Sequence, residues 1–581
     1  MINQITVTKN DSYTMGFNKT DKGYAFAYSS PNPRVNLLLF SADTKQPDYT
    51  IELNSSHKDG DVFSVLVKGI PAEISFYLYE DGGFVVTDPY ATCLKCSVFE
   101  ARKDAPYGVL NRNRFNWKND VHPRISKEEL IIYKIHPKGW TANRFSKVRN
   151  KGTFKGVMEK IPYLLELGIN AVELMPSYEY VPEKKIDDFW GYDAGFYFTP
   201  KLSYCATRDK KADYTTEFKE MVRELHANGI EVILEMFFPM HISTNLIRDC
   251  IRFWKKEYHI DGVHLLCDER VRFTLTGDEY IKDVKLFFAN WHEDVPGKNL
   301  YEYNEGFLEV ARRLLKGDEN QLMPFLKAIK KNSEHASNVN FVAYNNGFTL
   351  ADLVSYDYKH NEANNEGNRD GVDYNISWNC GVEGPTNNRK IKELRQKLMR
   401  NAMTMVFMSQ GVPLIYAGDE FGNSQYGNNN AYCQDNEIGW VDWSALRRNS
   451  KYFEFVKALI AFRKEHHVLS LEKEPLLMDY KYYGLPDMSY HGSRAWYPEL
   501  EHYNRHIGVM LCGKYAKEDA NIYIGFNLHW ESHRLALPII PQRKWKAAFS
   551  TDGSEQSQIV EERMVNIAPR SIIVLVDEKN S

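Results

Sequence analysis

Short stretches that alternate apolar and polar residues dominate residues 1–122. Examples are 35–40 (VNLLLF) and 62–67 (VFSVLV), which are separated by polar, turn-forming segments such as 57–61 (HKDGD). A two-residue period interrupted by turn residues predicts β-strands with one buried face. We therefore predict a β-sandwich over this part of the chain.

The pattern changes over residues 123–467 to apolar strands that alternate with amphipathic helices. A strand at 169–175 (INAVELM) precedes a helix at 216–228, and a further strand follows at 230–234 (IEVIL). Repeated strand–helix units predict parallel strands. Eight such units closed into a (β/α)8 TIM barrel would place a site at the C-terminal ends of the strands. Residues 468–581 return to strand patterns and predict a second β-sandwich.

Composition and charge narrow the classes of partner. The 581 residues are 43% hydrophobic and 26% charged, with a net charge of −4 and no basic stripe, so nucleic acid is not a predicted partner. Residues 1–9 lack the apolar core of a signal peptide. No apolar run approaches the ~20 residues that span a bilayer. These features predict a cytoplasmic protein that does not enter membranes.

The eight cysteines lack the spacing of a disulfide framework, which also favours a reducing cytoplasm. Cys93 and Cys96 form the one CxxC pair. A single pair without a partner cluster favours ordinary thiols in a loop over a zinc site. No metal and no other cofactor is predicted.

Several long motifs cover the predicted barrel. They lie at 132–154, 160–176 (KIPYLLELGINAVELMP), 190–192 (WGY), 378–385 (WNCGVEGP) and 409–436. These motifs resemble the isoamylase and glycogen-debranching branch of the α-amylase superfamily, glycoside hydrolase family 13. The resemblance implies a carbohydrate-binding-module-like N-terminal sandwich of the glycogen-binding type, a central barrel and a C-terminal sandwich.

The catalytic positions implied by the resemblance carry no acids. Retaining glycosidases use one carboxylate as nucleophile and a second as acid/base, about 5–5.5 Å apart. The resemblance places the nucleophile at Leu266, the acid/base at Ala289 and a third, transition-state-stabilising aspartate at Asn346. None of these side chains ionises. We therefore predict that no catalytic residue is retained.

The predicted loop lengths also favour a protein without catalytic activity. In family members, a long loop after strand 3 forms one wall of the cleft. Here residues 241–246 lead directly into a helix that is predicted to begin at residue 247. The segment between strands 4 and 5 is also short. An open cleft admits water and weakens the electrostatic interactions within it.

Other residues implied at the barrel mouth could still contact sugar, because rings stack on sugar rings and amides bond to hydroxyls. The resemblance places the family's strand-4 arginine at His264 and its strand-3 aspartate at Glu235, so His264 is either an ion-pair partner or a packed neutral histidine. The alternative for the whole set is that it only fills the barrel mouth. The candidate glucan-binding residues are Trp190, Tyr192, His241, His264, Trp291, Asn345 and Asn346.

Three functions are weighed. The leading hypothesis is a catalytically inactive homologue of a debranching enzyme (a pseudoenzyme), which binds an α-glucan such as glycogen, starch fragments or malto-oligosaccharide, or acts as partner subunit of an active homologue. The second is an active α-1,6-glucan debranching hydrolase with relocated carboxylates, for which Asp268 and Glu293 are candidates. The third is a scaffold or regulatory protein that does not bind sugar.

The amide-rich segment 359–370 is predicted to form a structured loop over the barrel mouth.

Overall fold

The computed structural model describes residues 5–11, 14–42, 46–95, 105–110, 115–180, 188–207, 214–292, 294–295, 297–553, 558–561 and 563–580. The predictions for Cys96 and Glu293 lie outside these residues. Among the described residues, no helix is both long enough and apolar enough to cross a lipid bilayer.

Ten strands at the start of the chain form two antiparallel sheets. The first has the order β1-β7-β3-β2 with β6 paired to β7, and the second β10-β8-β4-β5 with β9 paired to β8. Alternate residues of both sheets, such as Phe63 on β7 and Leu37 on β4, are buried in one shared apolar core, so the two sheets pack as a sandwich. The strands are β1 (Thr6–Lys9), β2 (Gly16–Thr20), β3 (Gly23–Ser29), β4 (Val35–Phe40), β5 (Tyr49–Leu53), β6 (Lys58–Asp59), β7 (Val62–Lys68), β8 (Phe76–Asp81), β9 (Phe84–Val86) and β10 (Gly108–Val109).

Eight parallel strands close into a barrel in the order β11-β12-β15-β16-β17-β18-β19-β20. A hairpin of β13 (Tyr178–Tyr180) and β14 (Gly195–Pro200) follows β12. The predicted fold class is confirmed. The barrel strands are β11 (Ile132–Ile135), β12 (Ala171–Leu174), β15 (Glu231–Phe237), β16 (Gly262–Leu266), β17 (Lys285–Phe288), β18 (Leu300–Tyr303), β19 (Ser337–Asn340) and β20 (Val412–Tyr416).

Helices cover the outside of the barrel, and their apolar faces join its strands in one large core. They are α1 (Pro137–Ala142), α2 (Phe154–Glu159), α3 (Ile161–Leu167), α4 (Thr215–Ala227), α5 (Thr244–Tyr258), α6 (Val271–Thr276), α7 (Glu305–Lys316), α8 (Leu322–Lys330), α9 (Leu350–Leu353), α10 (Arg389–Phe407), α11 (Ser444–Arg448) and α12 (Ser450–Glu465).

Two further antiparallel sheets, in the orders β21-β22-β23-β28-β25 and β24-β27-β26, end the chain. The boundaries at residues 122 and 467 stay predictions. The strands are β21 (Met488–His491), β22 (His506–Leu511), β23 (Ile522–Asn527), β24 (His533–Ala536), β25 (Arg543–Ser550), β26 (Gln558–Glu561), β27 (Met564–Ile567) and β28 (Ser571–Lys579).

The interior of the barrel is layered because alternate residues of each strand point inward. One layer is apolar and includes Ile132, Ile233 and Phe287. Two residues further along β11 and β15, the side chains become polar, at Lys134 and Glu235, which are both buried. This change of chemistry along the barrel axis positions the candidate site above the polar layer.

Candidate functional site

A cavity of about 680 Å³ opens at the C-terminal ends of the barrel strands. This is the end at which barrel proteins place their sites. Its wall is lined by Lys134, Asp188, Trp190, Tyr192, Asp193, Glu235, Phe237, His264, Leu266, Ala289, Tyr303, Glu305, Tyr344, Asn345, Asn346, Glu366, Asp370, Asn430 and Tyr432.

The three positions at which the sequence resemblance expects catalytic acids lie in this wall. Leu266 is the last residue of β16, and Ala289 directly follows β17. Asn346 is exposed in the loop after β19. Each of these positions therefore faces the cavity with a side chain that can neither act as a nucleophile nor donate a proton as an acid.

A buried polar layer forms the floor beneath them. Lys134 Nζ lies 2.7 Å from Glu235 Oε1 and 3.2 Å from Glu173 Oε1. His264 Nδ1 lies 2.9 Å from Glu173 Oε1 and 3.4 Å from Glu235 Oε1. Tyr303 stacks on the His264 ring with 4.0 Å between centroids and donates a hydrogen bond to Glu173. We call these five residues the floor cluster.

The strand register brings the floor cluster together. Lys134 lies opposite Glu173 in the β11–β12 ladder, and Glu235 lies opposite His264 in the β15–β16 ladder. The contact between His264 and two carboxylates favours the ion-pair alternative of the sequence analysis over a histidine packed among apolar groups. Such placement needs the closed barrel, since β11 and β16 are not neighbours.

Ion pairing sets the charge states of Lys134 and Glu173 in the floor cluster. Burial by itself lowers the pKa of Lys134, but the carboxylates of Glu173 and Glu235 outweigh it and raise the pKa above its ordinary value. Burial raises the pKa of Glu173, but Lys134 and His264 outweigh it and bring the pKa below its ordinary value. Glu173 is thus held as a carboxylate and cannot serve as a proton donor near neutral pH.

Glu173, Glu235 and His264 are also residue types that bind divalent metals. In this structure the ammonium of Lys134 lies within hydrogen-bonding distance of Glu235 and supplies the positive charge that a metal would bring. The floor cluster therefore already contains a cation bonded to its carboxylates.

A chain of hydrogen bonds runs from the floor to the wall. The hydroxyl of Tyr192 donates to Glu235 Oε2 at 2.8 Å and accepts from Asn345 Nδ2 at 2.9 Å. Burial and the charge of Glu235 raise the pKa of Tyr192, so its hydroxyl keeps its proton. The amide oxygen of Asn345 is buried, and no described residue donates to it. A buried acceptor without a partner costs free energy, which the bond that Asn345 donates to Tyr192 offsets in part.

The loop that carries Asn345 is held from behind by a buried arginine. Arg312 Nε donates to Val342 O at 2.7 Å, and its Nη1 donates to Asn375 O at 2.9 Å. Burial lowers the pKa of Arg312 to about 10, which still leaves it charged at neutral pH. The loop conformation is thus fixed by a residue on α7 that does not line the cavity.

Segment 359–370 forms one rim of the cavity, as predicted. Its Asn361 accepts at Oδ1 from the Asn429 backbone N–H at 3.0 Å, and Asn364 Nδ2 donates to Asn430 O at 2.8 Å. Asp370 Oδ2 accepts from Asn364 Nδ2 at 2.7 Å. The side chains therefore tie segment 359–370 to the motif at 409–436 across the rim.

Comparisons with known proteins agree with this architecture. Residues 134–248 match the family described as α-amylase, catalytic domain. Isoamylase 3 from the chloroplast of Oryza sativa is 28% identical over 691 residues, which cover 97% of this chain and 86% of that protein. A glycogen operon protein GlgX homolog of Haemophilus influenzae is 31% identical over 459 residues, which cover 64% of this chain and 68% of that protein.

The chain belongs to the isoamylase-type branch of the α-amylase family.

Solved structures of other proteins share its fold at lower identity. A pullulanase from Paenibacillus barengoltzii in complex with maltohexaose and α-cyclodextrin superposes over 98% of this chain and 95% of its own, with a TM-score of 0.75 and 18% identity. The catalytic module of a glycogen-degrading pneumococcal virulence factor superposes over 97% of both chains, with a TM-score of 0.78 and 15% identity.

Within this isoamylase-type barrel, five of the seven candidate glucan-binding residues line the cavity and two lie elsewhere. His241 is exposed in the turn after β15, away from the cavity wall. Trp291 is buried, packs against Phe288 with 4.8 Å between centroids, and donates from Nε1 to Tyr301 O at 2.9 Å. Since its ring and its donor are both used inside the protein, Trp291 has no face left for sugar.

The relocated acid Asp268 also lies away from the cavity. It borders a shallow depression beside β15 and β16, and Arg270 binds both of its oxygens, with Nη2 at 2.6 Å from Oδ2. These contacts with Arg270 lower the pKa of Asp268 to about 2. Asp268 does not line the cavity and its carboxylate is paired with Arg270, so relocated catalysis by Asp268 stays a prediction.

The connection after strand 3 is as short as the sequence suggests. Strand β15 ends at Phe237, and α5 begins at Thr244 rather than at residue 247. The predicted start was three residues late because Ser243 caps the helix, with its side chain accepting from the Leu246 N–H at 3.2 Å.

Sequence reasoning missed Lys134, Glu173 and Arg312. A signal was present in the first two, since each is a charged residue inside an otherwise apolar strand, at IIYKI and AVELM. Charged residues buried in such a position are almost always paired. Arg312 carried no such signal, because an arginine in the exposed stripe of an amphipathic helix would give the same pattern.

Proposed function

We propose that this isoamylase-type protein is catalytically silent and holds an α-glucan at the mouth of its barrel. The observation that carries the proposal is the cavity wall itself. The resemblance expects acids at Leu266, Ala289 and Asn346, which line the cavity beside the neutral amide of Asn345. An amide can bond to sugar hydroxyls without any bond being cleaved.

The carboxylates that do line the cavity support binding better than hydrolysis. Glu235 is paired with Lys134, and Glu366 accepts from the Tyr432 hydroxyl. Asp370 accepts from a cage of asparagine side chains. A carboxylate that already accepts hydrogen bonds from neighbouring side chains is less available as a nucleophile or as a proton donor.

Two cavity acids are less constrained, and they define the competing hypothesis of an active enzyme. Burial, with the nearby charge of Asp193 added to it, raises the pKa of Asp188, which is the direction required of a general acid. Glu305 is exposed at the start of α7. These two join Asp268 as the acids to test for relocated catalysis.

The chemistry of the wall fits a neutral, hydroxyl-rich ligand. Trp190 and Tyr192 meet edge to face with 6.1 Å between their centroids, and both line the cavity beside the amides. Aromatic surface with a few polar groups is the usual composition of a small-molecule site. Solved pullulanases of the same fold hold maltotetraose or maltohexaose, which supports a malto-oligosaccharide as the ligand.

Binding can be tested with maltohexaose by isothermal titration calorimetry and with glycogen by affinity electrophoresis. We expect measurable binding to the wild type and about tenfold weaker binding to Asn345→Leu, since one hydrogen bond contributes about 1–1.5 kcal/mol. Asn387→Leu is the matched control, because Asn387 is an exposed amide that does not line the cavity. Unfolding temperatures of both variants verify that each is folded.

Two results would contradict the proposal. Equal affinities for Asn345→Leu and the wild type would place the glucan elsewhere on the molecule. If glycogen causes no retardation and maltohexaose gives no heat of binding, the protein does not bind glucan and the scaffold hypothesis is the one that remains.

A further inference from the structure

Five titratable residues converge at the end of the barrel opposite the cavity. Asp120 and His122 belong to the segment 115–122, which leads from the first two sheets into the barrel. His226 lies near the end of α4, His259 directly follows α5, and Asp261 directly precedes β16. We call these five residues the relay.

Imidazoles and carboxylates alternate along the relay. His122 Nδ1 lies 2.8 Å from Asp261 Oδ1, and His226 Nε2 lies 2.9 Å from Asp261 Oδ2. His226 Nδ1 lies 3.0 Å from Asp120 Oδ1, and His259 Nδ1 lies 2.6 Å from Asp120 Oδ2. Each carboxylate is thus shared by two histidines, and His226 is the central link.

The geometry at His226 requires two protons on its ring. A neutral imidazole has one N–H and one lone pair. One ring nitrogen of His226 faces Asp120 and the other faces Asp261. In a neutral His226, the unprotonated nitrogen would therefore point its lone pair at a carboxylate oxygen, which is repulsive. With the imidazolium form, both contacts become charge-assisted hydrogen bonds. The His226 side chain is 1% exposed, so water cannot replace either contact.

The relay fastens a segment that has few other attachments to the barrel. Trp117 stacks on the His259 ring with 3.7 Å between centroids. Arg223 on α4 donates to Asn116 O at 3.1 Å and lies over the Phe115 ring. Segment 115–122 is therefore held by aromatic contacts, one backbone acceptor and the relay.

Other charged groups surround the relay on the elements that pack against it. Glu231 binds Lys285 with 2.7 Å between Oε1 and Nζ, and Asp283 binds Lys255. Glu231 also accepts from the Ile125 N–H at 2.8 Å. The charges facing the relay, by element, are Asp120 and His122 from the segment, Arg223 and His226 from α4, His259 after α5, Glu231 on β15, Asp261 before β16, and Asp283 and Lys285 at the start of β17.

Protons rather than a metal ion fit these distances. His122, His226 and Asp261 are residue types that could bind a cation. Their nitrogen and oxygen atoms already contact each other directly at 2.8 and 2.9 Å. These are hydrogen-bond lengths, and each contact is complete when the imidazole supplies a proton.

We propose that the relay is a proton-operated clasp, which holds segment 115–122 against the barrel while His226 is charged and loosens it when that charge is lost. This inference does not depend on the proposed glucan binding, because the relay lies at the opposite end of the barrel.

The direction of the pH dependence follows from linkage. Burial lowers the pKa of His226, but the hydrogen bonds and charges of Asp261 and Asp120 outweigh it and raise the pKa above its ordinary value near 6.5. A raised pKa stabilises the closed clasp fully below about pH 6.5, and this stabilisation is lost as pH rises through the raised value. Between these two values, opening becomes more favourable by up to tenfold per pH unit, because one proton is released.

Hydrogen exchange of the full-length protein, read by mass spectrometry between pH 6 and 9, tests the clasp. After correction for intrinsic exchange rates, we expect protection of amides in 115–122 to fall with rising pH in the wild type. In His226→Gln, protection should be low and independent of pH, since a neutral amide cannot donate to both carboxylates. His467→Gln, at an exposed histidine, should behave as the wild type.

A second variant and a zinc titration test the proposal if His226→Gln folds poorly. Asp120→Asn removes one of the carboxylates that need the charge, so its protection profile should be flatter than that of the wild type. Protection in the wild type that does not change with pH would overturn the clasp. A rise of several degrees in the unfolding temperature on adding Zn²⁺ to the wild type, absent in His122→Gln, would also overturn it and assign a metal site.

Discussion

Replacing Lys134 with methionine is expected to lower the free energy of unfolding by about 3–5 kcal/mol. Lys134 is 1% exposed and is the ammonium between Glu173 and Glu235. Its removal leaves two buried carboxylates without the ammonium that pairs with both of them. Methionine has a similar volume, so the loss would come from uncompensated charge rather than from a cavity. Urea denaturation followed by tryptophan fluorescence measures it.

Matched variants separate charge from packing in this experiment. Lys282→Met removes an exposed lysine paired with Glu279, and we expect a change within about 0.5 kcal/mol. Adding Glu235→Gln to Lys134→Met removes one of the uncompensated charges, so the double variant should lose less stability than the single one. A loss for Lys134→Met no larger than that for Lys282→Met would show that the floor cluster does not depend on its ammonium.

Turnover of pullulan or glycogen by the wild type is expected to be about 10⁶-fold slower than that of an active isoamylase assayed alongside it. Loss of the key members of a catalytic set typically removes rate of this order. A reducing-sugar assay with long incubations measures the difference. Hydrolysis well above this level that disappears in Asp188→Asn or Glu305→Gln would establish relocated acids and refute catalytic silence.

The same assay on the variant that combines Leu266→Asp, Ala289→Glu and Asn346→Asp should show little recovery. The connection from β15 to α5 leaves the cleft open beside β16, and acids placed there would lack the supporting shell that fixes their geometry. The amide counterpart, with Asn and Gln at the first two positions, is the control for changes in folding. Recovery to within about tenfold of an active isoamylase would show that the loops are sufficient for catalysis.

Much of the fold was predictable because each element carries a local signal. Strands β4 and β7 and the alternation of β12, α4 and β15 were predicted to within a few residues. Long motifs added the family, and with it the positions of Leu266, Ala289 and Asn346. Element ends were less predictable, as at α5, because a single cap such as Ser243 moves the start of a helix.

The candidate site was predictable only in part. Trp190, Tyr192 and Asn345 reach the cavity as expected, but Trp291 turns into the core, where Tyr301 O accepts its indole N–H. The sequence spacing places Trp291 just beyond β17. It does not state which side of the chain faces the cavity, since the strand period no longer applies once the strand has ended.

The sequence by itself determined the order of elements and the family, because these are properties of neighbouring residues along the chain. The tertiary structure alone decided which distant charges meet. Lys134 and His264 are 130 positions apart, and His122 and Asp261 are 139 apart. Barrel closure and the packing of the connecting segment bring such groups into contact, and their charge states follow from burial beside one another rather than from residue type.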